Sequence, residues 1–237
     1  MQGEKVLAEK MGIEEGMPTW IYVELYQQFK PKLMTLRRTG SLVRVGFNHR
    51  YHPALRKARE LFGAGALGEM MFVRGRHGHG GRIGYEKEWR ANPERSGGGE
   101  TIDQRVHLID LACWFLGDFS EVSGFAHTYY WNMPVDDNGF MMLKTPRQQV
   151  AFLHVSCTEW KNLFSLEIYG KKAKLHIEGL GGSYGPERLS YYRMLPEMGP
   201  PETTIWEYPM GDDSWRVEIA PFTLLLRLTS KETTFES

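Results

Sequence analysis

The sequence predicts an α+β fold built on one large, mostly antiparallel sheet, and three observations carry that prediction. Short runs rich in apolar, β-branched and aromatic residues recur at 121–131, 138–145, 149–159, 163–169, 173–179, 187–194 and 203–208. Only brief turns separate them, which is how neighbouring antiparallel strands are joined. Few helical stretches are left to cover so many strands, the clearest being 101–116. Finally, 237 residues with 41% hydrophobic content suffice for a sizeable core in one large or two small domains.

Taken in order, Lys5 to Lys10 is a short apolar run ending in charge, and it reads as a buried strand delivering Glu9 and Lys10 at its carboxyl end. Residues 11–41 follow no single pattern, because Trp20 to Phe29 has mixed helical character and Pro18, Pro31 and Gly40 interrupt it. Leu42 to Asn48 reads as a second strand. Pro53 sits at a first helical position and opens a helix over Ala54 to Phe62, closed by Gly63 and Gly65. Met70 to His77 is another strand, followed by a loop rich in glycine, histidine and charge up to Glu100. Gly170-Lys171-Lys172 is the clearest hairpin turn, 214–228 reads as a final helix, and 229–237 as a polar tail. Strand 149–159 puts Ala151, Leu153, Val155 and Cys157 on one face and Val150, Phe152, His154 and Thr158 on the other. Both faces therefore carry apolar side chains, and one is expected to meet another layer or another subunit.

The helix at 101–116 follows the run Ser96-Gly97-Gly98-Gly99-Glu100 and carries the chemistry. At ~100° per residue, Asp103, His107, Asp110 and Trp114 fall within roughly 60° of one another. Ile102, Val106, Ile109, Cys113 and Leu116 lie on one flank of that stripe, and Leu108, Leu111 and Phe115 on the other. A polar stripe between two apolar ones is mostly buried, so its carboxylates and imidazole need partners or a task. One reading is a self-satisfied Asp-His pair that orients the helix. The other is a general acid/base, with an aspartate one turn away holding the imidazole in one tautomer and favouring its protonated form.

Composition narrows the partners. Lysine plus arginine equals aspartate plus glutamate, 29 each, so no global field draws nucleic acid. Cys113 and Cys157 alone cannot build a disulfide framework or a cysteine zinc cluster, and no apolar stretch approaches ~20 residues. A soluble protein of the reducing cytoplasm, without membrane or nucleic-acid partners, is expected. His77-Gly78-His79 has no third metal ligand at convincing spacing, so no metal is expected and these residues read as a solvated loop. Asp136-Asp137 reads as turn chemistry.

Four segments then carry a resemblance: Gly3 to Lys10, Val45-Gly-Phe-Asn-His-Arg-Tyr-His-Pro53, Gly65-Ala-Leu-Gly-Glu69, and Gly97-Gly-Gly-Glu-Thr-Ile-Asp-Gln-Arg-Val-His-Leu-Ile-Asp110. In this order they resemble the glucose-fructose oxidoreductase and inositol dehydrogenase family, Gfo/Idh/MocA. The resemblance implies a remnant of a Rossmann dinucleotide-binding domain over 1–47. It implies a substrate-binding and oligomerisation domain over 48–237, with an open sheet covered by helices on one face. It further implies NAD or NADP as cofactor, a carbohydrate-like substrate oxidised at a secondary alcohol, and a homo-oligomer formed through the sheet. Lys10, Asp103 and His107 would be catalytic, with Glu9, Lys10 and Arg50 toward the cofactor and Tyr51, Trp89 and Arg90 toward the substrate. His107 would take the hydroxyl proton, Asp103 orient its ring and Lys10 hydrogen-bond the developing alkoxide. The chain departs from the family pattern at Met11, where proline is usual, and at Arg105, where glycine is usual. It is also expected to lack the Gly-x-Gly-x-x-Gly turn that cradles cofactor phosphates, which leaves a non-catalytic carbohydrate-binding or oligomerisation module as the alternative.

Overall fold

The computed structural model describes residues 45–221 and 223. Glu9, Lys10 and the strand expected over 5–10 therefore lie outside the described residues, as does most of 42–48. What is described of that second strand corrects the expectation. Residues 45–47 have no regular structure, and Asn48–Tyr51 is a 3-10 helix. The Phe47 N–H donates to the Glu218 carboxylate at 2.7 Å rather than to a neighbouring strand, and Arg50 N–H closes back on the Phe47 carbonyl at 3.1 Å.

Helix α1 (Pro53–Gly63) begins with proline at its first turn, where the missing N–H leaves nothing unsatisfied. Eight strands follow: β1 (Met70–Gly78), β2 (Glu121–His127), β3 (Asn138–Lys144), β4 (Val150–Ser156), β5 (Leu163–Gly170), β6 (Ala173–Glu178), β7 (Glu187–Arg193) and β8 (Glu202–Tyr208). Between β1 and β2 lie the short α2 (Pro93–Ser96) and α3 (Glu100–Asp103) and the longer α4 (Arg105–Leu116). The strands form one sheet in the order β2-β3-β4-β1-β5-β6-β7-β8. Every neighbouring pair is antiparallel except β1 with β4, which run parallel from Phe72 opposite Val150 to Gly78 opposite Ser156. A helical segment at 214–221 closes the described chain.

The expected alternation along β4 is observed. Ala151, Leu153 and Val155 are fully buried on the inner face, whereas Phe152 on the outer face is 42% exposed. Helices α1 and α4 supply Leu55, Leu108, Ile109 and Leu111 to the same core, each fully buried and worth about 1.5–3 kcal/mol. Gly75 in β1 lets α4 approach this closely, since a Cβ there would sit 3.2 Å from Leu108 and 3.1 Å from Leu153. Strand β2 stops at His127, short of the expected 131, because Asp137 accepts the N–H groups of Tyr129, Tyr130 and Trp131 and bends the chain into a loop.

Candidate active site

The glycine run fixes where α3 starts. Gly97 ends α2 in the left-handed region (φ 79°), which glycine enters without a Cβ penalty. Gly99 is pressed against the loop before β3, and a Cβ there would lie 2.0 Å from the Asp136 carbonyl oxygen. That carbonyl accepts the Glu100 N–H at 3.0 Å, while the Asp136 carboxylate accepts both the N–H (2.8 Å) and the hydroxyl of Thr101. Asp136 therefore staples the first turn of α3 to the sheet, which extends the turn role expected for it.

The single helix expected over 101–116 is interrupted. Gln104 separates α3 from α4, so Asp103 and His107 do not share one continuous stripe. Asp103 turns to Arg90, whose Nε donates to it at 3.2 Å and whose guanidinium lies 4.7 Å from the Trp89 ring centroid. Asp110, further along the stripe, accepts from Arg50 Nε at 2.8 Å and Nη2 at 2.6 Å. Each carboxylate thus has a guanidinium, and neither takes the imidazole.

His107 belongs instead to a cluster of four imidazoles, half of the eight histidines in the chain. The His49 ring stacks on it with centroids 4.1 Å apart and planes at 24°. His77, at the end of β1, lies 5.1 Å from His49 and 6.5 Å from His107. This overturns the solvated-loop reading of His77, which is 3% exposed because β1 runs through the middle of the sheet. His52 extends the cluster toward Glu187 (2.9 Å) and Asp212 (3.8 Å). Burial first, then the neighbouring imidazoles, pushes His49 well below the usual histidine range and His77 down to about 3. Burial also lowers His107, against an upward pull from the Asp103 charge. The protonated form expected beside an aspartate is therefore disfavoured, because desolvation outweighs attraction across the break in the helix.

Two cavities flank this segment. One, of about 190 Å³, is lined by His49, His77, Gln104, His107, Tyr184 and Trp215 among others. The other, of about 130 Å³, is lined by Tyr85, Trp89, Arg90, Glu100, Asp103 and Met133 among others. Among the described residues no His, Cys, Asp or Glu cluster has metal-holding geometry.

A family model for the GFO/IDH/MocA C-terminal domain matches residues 55–176, just over half of the chain. The chain belongs to the Gfo/Idh/MocA family. Levoglucosan dehydrogenase of Pseudarthrobacter phenanthrenivorans is 29% identical over 113 residues, 44% of this chain and 27% of that protein. A solved structure of levoglucosan dehydrogenase in complex with NADH and levoglucosan aligns with a TM-score of 0.60 at 21% identity, covering 69% of this chain and 46% of the other. The WlbA dehydrogenase of Bordetella pertussis, in complex with NADH and UDP-GlcNAcA, aligns at 0.59 and 20% identity, covering 65% of this chain and 45% of the other. These likenesses establish the shared fold, and this chain spans less than half the length of each of the three.

Within this Gfo/Idh/MocA domain the structure brings some expected residues together and keeps others apart. Asp103, Arg90 and Trp89 meet at the smaller cavity, and His107 faces the larger one. Arg50 is engaged with Asp110 and lies 5.5 Å from the Trp114 ring, and Tyr51 is half-buried in the 3-10 helix. A dinucleotide does not fit the described residues. Gly63-Ala64-Gly65-Ala66-Leu67-Gly68 does have Gly-x-Gly-x-x-Gly spacing, contrary to expectation, but it closes α1 and leads into β1. A phosphate cradle needs the reverse order, a strand turning into a helix N-terminus. The sequence does not single out His49, Tyr184 or Trp215 as site residues, and it offers His77 only as a metal ligand without a third partner. The only signal for His49 was its place beside Arg50 in the motif at 45–53.

Proposed function

We propose that this chain is the substrate-binding and proton-handling part of an oxidoreductase acting on a secondary alcohol of a sugar, polyol or nucleotide-sugar. The observation that carries the reading is His107: it stands in the Asp-x-x-x-His position, lines the larger cavity and has a buried Nδ1 with no partner among the described residues. Its lowered pKa leaves the ring unprotonated at neutral pH, the state required of a base that removes a hydroxyl proton. Asp103, held by Arg90, supplies a negative charge that stabilises the ring once it has taken that proton. The family relatives are captured with NADH, so NAD or NADP is the redox partner implied for the whole enzyme. Residues 1–47 would belong to the dinucleotide-binding part and 48–237 to the substrate-binding part, a division supported by a family match that begins at residue 55.

The decisive experiment assays the chain with levoglucosan and L-sorbose against both nicotinamide cofactors, alongside an NADH fluorescence titration. His107→Ala is expected to lower any measurable rate by about 10²–10⁴-fold, as loss of a general base does. An unchanged rate overturns the assignment. NADH is expected to bind very weakly or not at all, and micromolar affinity would contradict the fit described above. A second reading, a non-catalytic module that binds carbohydrate or assembles through its sheet, is favoured by the apolar outer face on which Phe125 is 80% exposed. Sugar binding without turnover under any cofactor supports that reading.

A further inference from the structure

We propose that His52, held by Glu187, is the proton port of the larger cavity, the group through which a proton gathered at His107 reaches solvent. This rests on the reading of His107 as the base. A buried base must give up its proton before it acts again, so a path outward is part of its chemistry. The hydrogen-bonded carboxylate–imidazole pair that the sequence placed at Asp103 and His107 is found instead at Glu187 and His52. His52 Nδ1 lies 2.9 Å from Glu187 Oε2, and both side chains are buried. Glu187 is fixed in turn, since its Oε1 accepts the Ala54 N–H at 2.7 Å in the first turn of α1 and its Oε2 accepts the Gly181 N–H at 3.3 Å. With Glu187 as acceptor the ring proton sits at Nδ1, and the Nε2 lone pair is left to take another.

That nitrogen stands at the rim. It lies 3.8 Å from Asp212 Oδ1, and Asp212 both lines the cavity and is 37% exposed, so its carboxylate joins the interior to the water outside. Asp212 accepts the Ser214 N–H at 2.9 Å and the Ser214 hydroxyl at 2.6 Å, and Asn48 donates to that hydroxyl at 2.9 Å, which holds the rim in place. A protonated His52 is flanked by two carboxylates, whereas His49 and His77 resist the charge through burial and the imidazoles around them. The connection inward runs along the rings: the His49 centroid is 5.9 Å from that of His52 and 4.1 Å from that of His107. Stacked rings do not hydrogen-bond each other, so water carries the proton between them. Nδ1 of His49, Nδ1 of His107 and both nitrogens of His77 are buried without a partner among the described residues, and ordered water meets such groups. At ~30 Å³ per molecule in the liquid, about 190 Å³ admits a chain of several waters. Each transfer moves a proton alone. An N–H bond breaks at His107, O–H bonds form and break along the water, an N–H bond forms at His52 Nε2, and the proton then leaves that nitrogen for water beside Asp212.

The test is ¹⁵N-imidazole NMR on the cofactor-free chain, reading by saturation transfer how fast the ring N–H proton of His107 exchanges with water. His52→Asn keeps a donor for Glu187 in the place of Nδ1 and removes Nε2. It is expected to slow that exchange at least tenfold with circular dichroism unchanged, and free imidazole added to the variant is expected to restore it. Asp212→Asn is expected to slow the exchange severalfold. Should His52→Asn unfold, the unsubstituted chain carries the test: at pH 8.5 the ¹⁵N shifts are expected to show His52 protonated at Nδ1 and bare at Nε2. Unchanged exchange in either folded variant, no response to imidazole, or any other protonation pattern of His52 overturns the port. Exchange that depends on His52 in a chain that oxidises no sugar would sink the oxidoreductase reading and leave the port standing. Sugar oxidation with exchange indifferent to His52 would do the reverse.

Discussion

His49, His77 and His107 are three imidazoles held in their neutral form, and this ties the stability of the fold to pH. In the unfolded chain each titrates near ~6.5; in the folded chain each is lowered, His77 to about 3. Folded-state values below unfolded ones mean that unfolding takes up protons as pH drops under ~6.5. The stability these residues contribute is therefore complete above that pH and is lost progressively below it. A group adds at most about 1.4 kcal/mol per pH unit, so His77 alone contributes roughly 1 kcal/mol between pH 6 and 5, and His49 and His107 add to it in the same direction. Urea unfolding at pH 7.5 and 5.5 checks this, and a flat profile would contradict the burial of the cluster. At this scale the sequence was half legible. His107 stood out through its spacing from Asp103, but His49 and His77 join it only through the tertiary fold, one from a 3-10 helix and one from the end of a strand. Arg90 and Arg50, each read as a ligand contact, also hold Asp103 and Asp110, partners that periodicity on one helix could not reveal.

Among the elements, the junction of the glycine run with α3 is the most constrained. Gly99→Ala is expected to destabilise the protein by about 1–3 kcal/mol, since the added methyl must push away the Asp136 backbone that anchors Glu100 and Thr101. For a chain of this size that lowers the melting temperature by roughly 2–12 °C. An unchanged melting temperature would show that the loop yields. The eight described strands were readable because alternation and turn residues are local signals, and Gly170-Lys171-Lys172 does connect β5 to β6. Two features were not readable. The break at Gln104 involves neither glycine nor proline and follows from docking α3 on Asp136, whereas Leu42 to Asn48 looks like a strand, yet in its described part the Phe47 N–H finds its partner in the Glu218 side chain.

Across the whole molecule, helices cover one face of the sheet and leave the other open among the described residues. Phe125, Met142 and Phe152 lie on this open face at 80%, 54% and 42% exposure, with Phe140 stacked on His154 between them. An apolar surface of that kind on a central sheet fits a subunit contact. Light scattering is expected to find a homo-oligomer, and Phe152→Asp to shift it toward monomer without loss of folded signal. A clean monomer at high concentration would argue against assembly through this face.

The parallel pairing of β1 with β4 also dictates when the sheet can close. Val73 bonds toward Ala151 on one side and Ile168 on the other, so the central strand has no partner adjacent in sequence. At about 5–20 residues per second of synthesis, β1 waits several seconds, with both hydrogen-bonding edges bare, for the strands that will flank it. Pairings this distant slow folding and expose unpaired edges to neighbouring chains. Met70 to Gly78 is therefore the segment a nascent-chain chaperone would have most reason to shield.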